Sequence, residues 1–236
     1  LRGAFLGGGN RSAAVSRVCL NKEENMEENR YLQELTDRCP ALKGLEEEIR
    51  AAYGIIKESF QAGGKLLVAG NGGSCADAEH IVGELMKSFV KPRPVPKELK
   101  EALIRTDSGM GGALSEKLQQ GLPAIALNSH PGLTSAFLND VDGEMAYAQQ
   151  VLGYGKKGDV FLGITTSGNA KNIRCAAVTA KAMGLRVIGL TGRDGGTLRA
   201  LCDAAVIVPE QETYRIQELH LPIYHTLCLM LEEAFF

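Results

Sequence analysis

No Cys-x-x-Cys pair and no zinc-finger spacing occurs among the six cysteines, Cys19, Cys39, Cys75, Cys175, Cys202 and Cys228. The thiols therefore read as reduced, and the chain as cytoplasmic. No apolar run approaches the length of a membrane span. Residues 1–25 are too broken in apolar content for a secretory signal. A net charge of −2 and a pI near 6.2 leave no footprint for nucleic acid or an acidic membrane surface. Neither of the two glycine-containing loops described next ends in Gly-Lys-Ser/Thr or spells G-x-G-x-x-G. A nucleotide enzyme is thus the weaker reading.

What is present points elsewhere. The 236 residues are 44% hydrophobic and 23% charged, enough for one α/β domain with appendages. Asp159-Val160-Phe161-Leu162 reads as a buried strand. It runs into Gly163-Ile164-Thr165-Thr166-Ser167-Gly168-Asn169 and then a helix over Ala170 to Met183. Helix N-termini present unpaired N–H groups and partial positive charge, and the hydroxyls add donors, so this loop suits a phosphate. An ordinary strand–helix turn with capping Ser and Thr would look the same. A second copy tips the balance. The strand Lys65 to Ala69 leads into Gly70-Asn71-Gly72-Gly73-Ser74 and a helix from Cys75 to about Ser88. Two such units can converge on one ligand at the carboxyl edge of a parallel sheet. A sugar phosphate fits better than a nucleotide.

Residues 1–25 differ in character from the rest. Lys22-Glu23-Glu24-Asn25 can be encoded as a bacterial ribosome-binding sequence just before a start codon at Met26. The expectation is that 1–25 is translated upstream sequence; a real but disordered leader is the alternative. Asn29 to Ala62 reads as helical, with a break near Cys39-Pro40. Residues 91–123 interrupt the alternation of strands and helices with a proline-rich start, a charged helix, a Gly-rich tract and a short helix. This reads as an insertion, either a lid or an oligomer contact. Ala124 to Asn128, Arg186 to Leu190 and Ala204 to Val208 complete five strands. Thr134 is expected to cap a short helix ending at Leu138, with Asn139-Asp140 in a loop. The last helix spans about Thr213 to Phe236, and Pro222 should kink it or mark a start. The predicted architecture is a three-layer α-β-α sandwich around a five-stranded parallel sheet, with N-terminal helices.

His80 and Glu84 are four apart on one helix face, as a metal pair, an acid/base pair or a plain surface contact would be. With these, the motifs resemble the sugar isomerase (SIS) domain family. The residues that carry the resemblance are Gly70 to Ser74, Ala78 to Leu85, Gly163 to Asn169, Leu190 to Gly196, and Arg215 to His220 with His225. Within the family they look most like the phosphoheptose isomerases. The resemblance covers about residues 30–236 apart from the insertion, making 26–236 one SIS domain.

The resemblance implies a homotetramer with sites between subunits. It also implies conversion of sedoheptulose 7-phosphate to D-glycero-D-manno-heptose 7-phosphate through an enediol. Glu84 would be the base and His225 the acid. His80, Glu84, Gln217 and His225 would hold zinc, one ion per subunit. Asn71, Gly72, Gly73, Ser74, Asn139, Asp140, Thr165, Thr166, Ser167, Gln217 and Glu84 would meet substrate. His220 is expected outside the site, at a subunit contact, and His130 as a plain loop residue. Four departures affect the substrate shell. Ala170 stands where another serine is common, and Tyr214 where an acidic residue is usual. Ser88 with Lys87 replaces a basic residue, and the 91–123 insertion is long. An isomerase of another sugar phosphate, or a non-catalytic phosphosugar-binding SIS protein such as the tetramer that associates with a replication initiator, are the alternatives. The intact acid/base set argues against the pure binder.

Overall fold

The structure is a computed structural model that describes residues 26–236. The expected leader, residues 1–25, and Cys19 lie outside the described residues. Residues 26–38 form helix α1, and a short turn at Pro40–Leu42 separates it from α2 (Glu46–Gln61). The break is where Pro40 removes a helical N–H donor. Five strands follow: β1 (Leu66–Gly70), β2 (Ala124–Ala126), β3 (Val160–Thr165), β4 (Arg186–Thr191) and β5 (Ala204–Ile207). Between them lie α3 (Gly73–Met86), α4 (Lys97–Thr106), α5 (Gly111–Lys117), α6 (Pro131–Asp140), α7 (Ala146–Tyr154) and α8 (Lys171–Ala182). Helix α9 (Thr213–Phe235) ends the fold.

All pairings are parallel, in the order β2-β1-β3-β4-β5. Every residue of β1 and β3 is buried, as expected of strands covered on both faces. The strand period of two divides the core. Leu66, Val68, Leu162, Ile164, Ile188 and Leu190 pack with α1, α2, α3 and α9. Leu67, Ala69, Phe161 and Val187 face α7 and α8. The three-layer sandwich expected from the alternation is what forms.

Several local expectations are corrected. Helix α9 runs unbroken through the buried Pro222, so no helix starts there. Proline removes only one N–H bond, and the flanking turns stay packed on the sheet. Helix α6 begins at Pro131, behind His130 as its N-cap residue, so Thr134 lies within the helix and caps nothing. Proline's fixed φ suits the first helical position, which pulls the start upstream. Asn139 and Asp140 form the last turn of α6 and lie in no loop.

The segment 91–123 builds α4 and α5, which pack on each other; a Cβ at Gly111 would strike the Leu103 carbonyl. Its two ends are pinned together. Pro94 and Gln119 form an antiparallel bridge, Gln120 N–H donates to the Arg93 carbonyl (2.7 Å), and Leu122 N–H to that of Leu85 (2.8 Å). Among the described residues no helix is long and apolar enough to cross a membrane. Cys39, Cys75, Cys175, Cys202 and Cys228 are free thiols. Burial pushes the Cys228 thiol up to about 12, so it is inert core at neutral pH. Cys175 is only half-buried.

Candidate functional site

The order 2-1-3-4-5 has its switch point between β1 and β3, where the chain leaves in opposite directions and the loops splay to leave a crevice. Both phosphate-type loops leave the sheet there. Together they line a cavity of about 390 Å³. Asn71, Gly72, Gly73 and Ser74 come from the first loop, and Thr165, Thr166 and Ser167 from the second. Gln217 and Thr213 of α9 and the methyl of Ala170 complete the wall.

Three helices begin at this wall: α3 at Gly73, α8 just after Ala170, and α9 at Thr213. In none of the three does the N-cap residue's side chain cap the first turn, and in α8 only Ile173 N–H meets a side chain, Asn172 Oδ1 at 2.9 Å. Capping therefore does not account for the hydroxyls of the second loop, although Ser167 Oγ does accept from Asn169 N–H (3.2 Å). Three helix N-termini on one cavity make it favourable for an anion, with no lysine or arginine in its lining. Gly168 (φ +67°) packs against the loop after β4, where a Cβ would collide with the Gly195 carbonyl. Only glycine lets the two loops meet.

Gly73 faces Gln217: a Cβ on Gly73 would stand 2.5 Å from the Gln217 amide nitrogen. Seven residues further along α3, His80 meets His225, eight residues beyond Gln217. The two helices thus lie side by side and parallel. His80 is the hub of the second cluster. Its Nε2 is 3.3 Å from Glu84 Oε1 and 3.4 Å from His225 Nε2. Lys87 Nζ lies 3.1 Å from Glu84 Oε2. Burial first, and then the neighbouring His80, hold His225 below its ordinary range against the opposing pull of Glu84.

Among the described residues no group of three or more His, Cys, Asp or Glu side chains is arranged to hold a metal ion as it stands. In kind, two imidazoles and a carboxylate suit zinc. Two donors each about 2.0–2.1 Å from one tetrahedral zinc stand about 3.4 Å apart, close to the separations around His80 Nε2. The two pairs that His80 makes fit. Closing them around an ion requires side-chain adjustment, and Gln217 is turned to the cavity.

The structure does not bring every expected residue together. Asn139 and Asp140 are exposed on α6, hydrogen-bonded to each other (2.8 Å) and absent from the cavity wall. Asn71 is engaged in a reciprocal amide pair with Asn172, both bonds 2.9 Å. Asn172, Thr213, Asp77 and Tyr224 are participants that sequence reading passed over. Thr213, one residue before the Tyr214 departure, could have been found from its place at a helix start. The others have no local signal.

His130 lies in the loop just before α6, as its N-cap residue, with its ring 5.5 Å from that of Tyr154. His220 does lie apart from the acid/base cluster, but it is wholly buried in its own chain, so it makes no subunit contact. One ring nitrogen faces the Thr191 carbonyl at 3.2 Å, and burial pushes the imidazole down to about 4. A histidine depressed from 6.5 contributes stability that is complete above about pH 6.5 and lost as pH falls toward 4. The expected loss is about 3 kcal/mol over that interval, at about 1.4 kcal/mol per pKa unit. Urea midpoints at pH 7.5 and 4.5 check it. His220→Gln should flatten the pH slope, and an unchanged slope would remove His220 from the account.

Comparison with known proteins places this geometry. A family model described as the SIS domain matches residues 30–103 and 108–192. The phosphoheptose isomerase of a Nitratiruptor species is 38% identical over 207 residues, 86% of this chain and 97% of that protein. The phosphoheptose isomerase of Helicobacter hepaticus is 41% identical over 184 residues, 78% of this chain and 81% of that protein. A solved phosphoheptose isomerase from Neisseria gonorrhoeae aligns with a TM-score of 0.66 at 31% identity, over 93% of this chain and 99% of that one. That from Francisella tularensis gives 0.68 at 27% identity, over 93% and 98%. The chain belongs to the SIS-domain family and, within it, to the phosphoheptose isomerases, a group of aldose–ketose isomerases.

Proposed function

We propose that the chain interconverts sedoheptulose 7-phosphate and D-glycero-D-manno-heptose 7-phosphate, with Glu84 as base and His225 as acid. One observation carries this reading. The anion cavity and the His80–Glu84–His225 cluster sit at two levels of the same parallel helix pair. Seven residues of α3 and eight of α9 separate them, about 10–12 Å at roughly 1.5 Å per residue. A sugar phosphate whose reacting carbons lie far from its phosphate suits such a division. The cavity holds the phosphate by dipoles and hydroxyls, leaving C1 and C2 at the cluster.

In the ketose-to-aldose direction Glu84 takes a proton from C1 while His225 donates to the C2 oxygen, giving an enediol. Return of the carbon-bound proton to C2, with loss of the C1 hydroxyl proton, leaves the aldose. Each proton-transfer group contributes roughly 10²–10⁴-fold. Zinc held by His80, Glu84 and His225, with Gln217 swung over from the cavity, would polarise the carbonyl and stabilise the enediolate. A nitrogen that ligates a metal has no proton to give, so Nε2 of His225 serves one duty at a time. The exposed Asn139 and Asp140 fit a homotetramer in which α6 of one subunit completes the cavity of another. The working compartment in this reading is the cytoplasm.

The test is turnover of sedoheptulose 7-phosphate by the full chain, untreated, chelator-treated and zinc-reconstituted. Aldose formation supports the reading, and chelator sensitivity assigns ligation rather than proton transfer to His225. Absence of aldose from a folded, phosphosugar-binding oligomer overturns the substrate assignment.

A further inference from the structure

Tyr224 precedes the acid candidate His225, its ring 5.1 Å from that of His225, and both rings pack on His80 of α3. Tyr224 is buried, and its ring stands edge-on to that of His80 at 5.4 Å and 72°. Its hydroxyl has two partners, both on α3: Asp77 Oδ1 at 3.3 Å and His80 Nδ1 at 3.0 Å. Asp77 and His80 are three apart, on one helix face. The other carboxylate oxygen of Asp77, Oδ2, is buried without a partner, so Tyr224 supplies the hydrogen bond seen at this side chain.

A tyrosine hydroxyl has one proton, and a carboxylate can only accept. With its proton directed to Asp77, the Tyr224 oxygen is an acceptor toward His80, and Nδ1 of His80 must carry the N–H. The neutral ring then has a bare lone pair on Nε2. That atom faces Glu84 Oε1 at 3.3 Å, which is also an acceptor. Left alone, a histidine and a glutamate four apart would satisfy each other through Nε2–H, and the site would close on itself. The Asp77–Tyr224 pair withholds that proton.

We propose that Tyr224, oriented by Asp77, is a positioning residue that holds the His80 proton on Nδ1 and keeps an unprotonated Nε2 aimed into the cluster. The inference deepens the proposed isomerase reading and rests on it for the purpose of the cluster: the bare Nε2 of His80 and Oε1 of Glu84 are two acceptors 3.3 Å apart, with His225 Nε2 3.4 Å from the first, an arrangement suited to a cation. Outer partners of this kind fix the tautomer and ring direction of ligating histidines.

The test uses the full chain, metal-free, labelled with 15N-histidine, and reads the tautomer of each of the four histidines by magic-angle-spinning 15N spectra. Single His→Gln variants assign the signals. The parent should show His80 as the Nδ1–H form. Tyr224→Phe removes only an oxygen, so the packing is kept, and His80 should move to the Nε2–H form. Asp77→Ala leaves Tyr224 in place but frees its proton for Nδ1, and it should produce the same reversal. A merely structural tyrosine would not give that second result. Zinc affinity, read by competition with a chromophoric chelator, should fall about 10–100-fold in both variants. An Nε2–H tautomer in the parent, or an unchanged tautomer in both variants, overturns the inference. The expected tautomers without zinc binding by the parent would uphold Tyr224 and overturn the metal reading alone.

Discussion

Glu84→Gln should lower turnover of sedoheptulose 7-phosphate by about 10²–10⁴-fold with KM nearly unchanged. That loss corresponds to about 3–5 kcal/mol of transition-state stabilisation. Glutamine has the shape of glutamate, and its amide oxygen can still accept from Lys87, which lies 3.1 Å from Oε2. Folding and phosphate binding should therefore survive, since Glu84 lies about three helical turns along α3 from the cavity at Gly73. His225→Ala should produce a loss of similar size. If the two act as one proton-transfer unit, the double variant should be little worse than either single one, because residues that act together are not additive. Steady-state kinetics on the four proteins decides the matter. Turnover of Glu84→Gln within tenfold of the parent would remove it as the base.

The largest stability effect is expected from Arg93→Ala. The Arg93 and Glu232 side chains are almost wholly buried, with Nε 2.8 Å from Oε1. The Arg93 guanidinium also donates to the carbonyls of Leu85 (2.8 Å) and Glu84 (3.2 Å), and it lies over the Phe236 ring at 4.6 Å. Glu232 in turn accepts backbone N–H groups of Phe89, Val90 and Lys91 at 2.9, 2.9 and 3.0 Å. Removing the arginine leaves a buried carboxylate without its counter-charge, a loss of about 3–5 kcal/mol. Against a domain stability of about 5–15 kcal/mol this is a large share.

A paired replacement, Arg93→Met with Glu232→Leu, should rescue little. The three backbone donors of residues 89–91 would still lose their acceptor. Urea denaturation of the single and double variants measures both claims; a double variant as stable as the parent would refute the second. Burial alone would raise the Glu232 carboxyl, but the three N–H groups and Arg93 outweigh it and hold it below its usual range. Its stabilisation is therefore complete above about pH 4.5 and lost as pH falls through the lower folded value. The consequence reaches the site. Arg93 grips the carbonyl of Glu84 itself, so the strap from Ser88 to Pro94 ties the end of α3 to the end of α9. The start of the 91–123 segment is thus an anchor between the two helices that carry the acid/base cluster.

Much of this protein was legible in one dimension. The five strands, the helices between them and both anion-binding loops follow from local periodicity and from glycine and hydroxyl placement, which act within a few residues. His80 and Glu84 share a helix face for the same local reason. The order β2-β1-β3-β4-β5 was not legible, because parallel pairing joins segments far apart in sequence, and the pattern within each strand is the same whichever neighbour it takes. Only that order opens the crevice between β1 and β3. Only the parallel packing of α3 on α9 sets His80 beside His225, 145 positions away. Tyr224 and Glu232 lie in the helix read over about Thr213 to Phe236, with no local signal of a distant partner. Their hydrogen bonds to Asp77 and to the 89–93 strap exist because the tertiary fold buries polar atoms there, and most buried polar atoms are hydrogen-bonded.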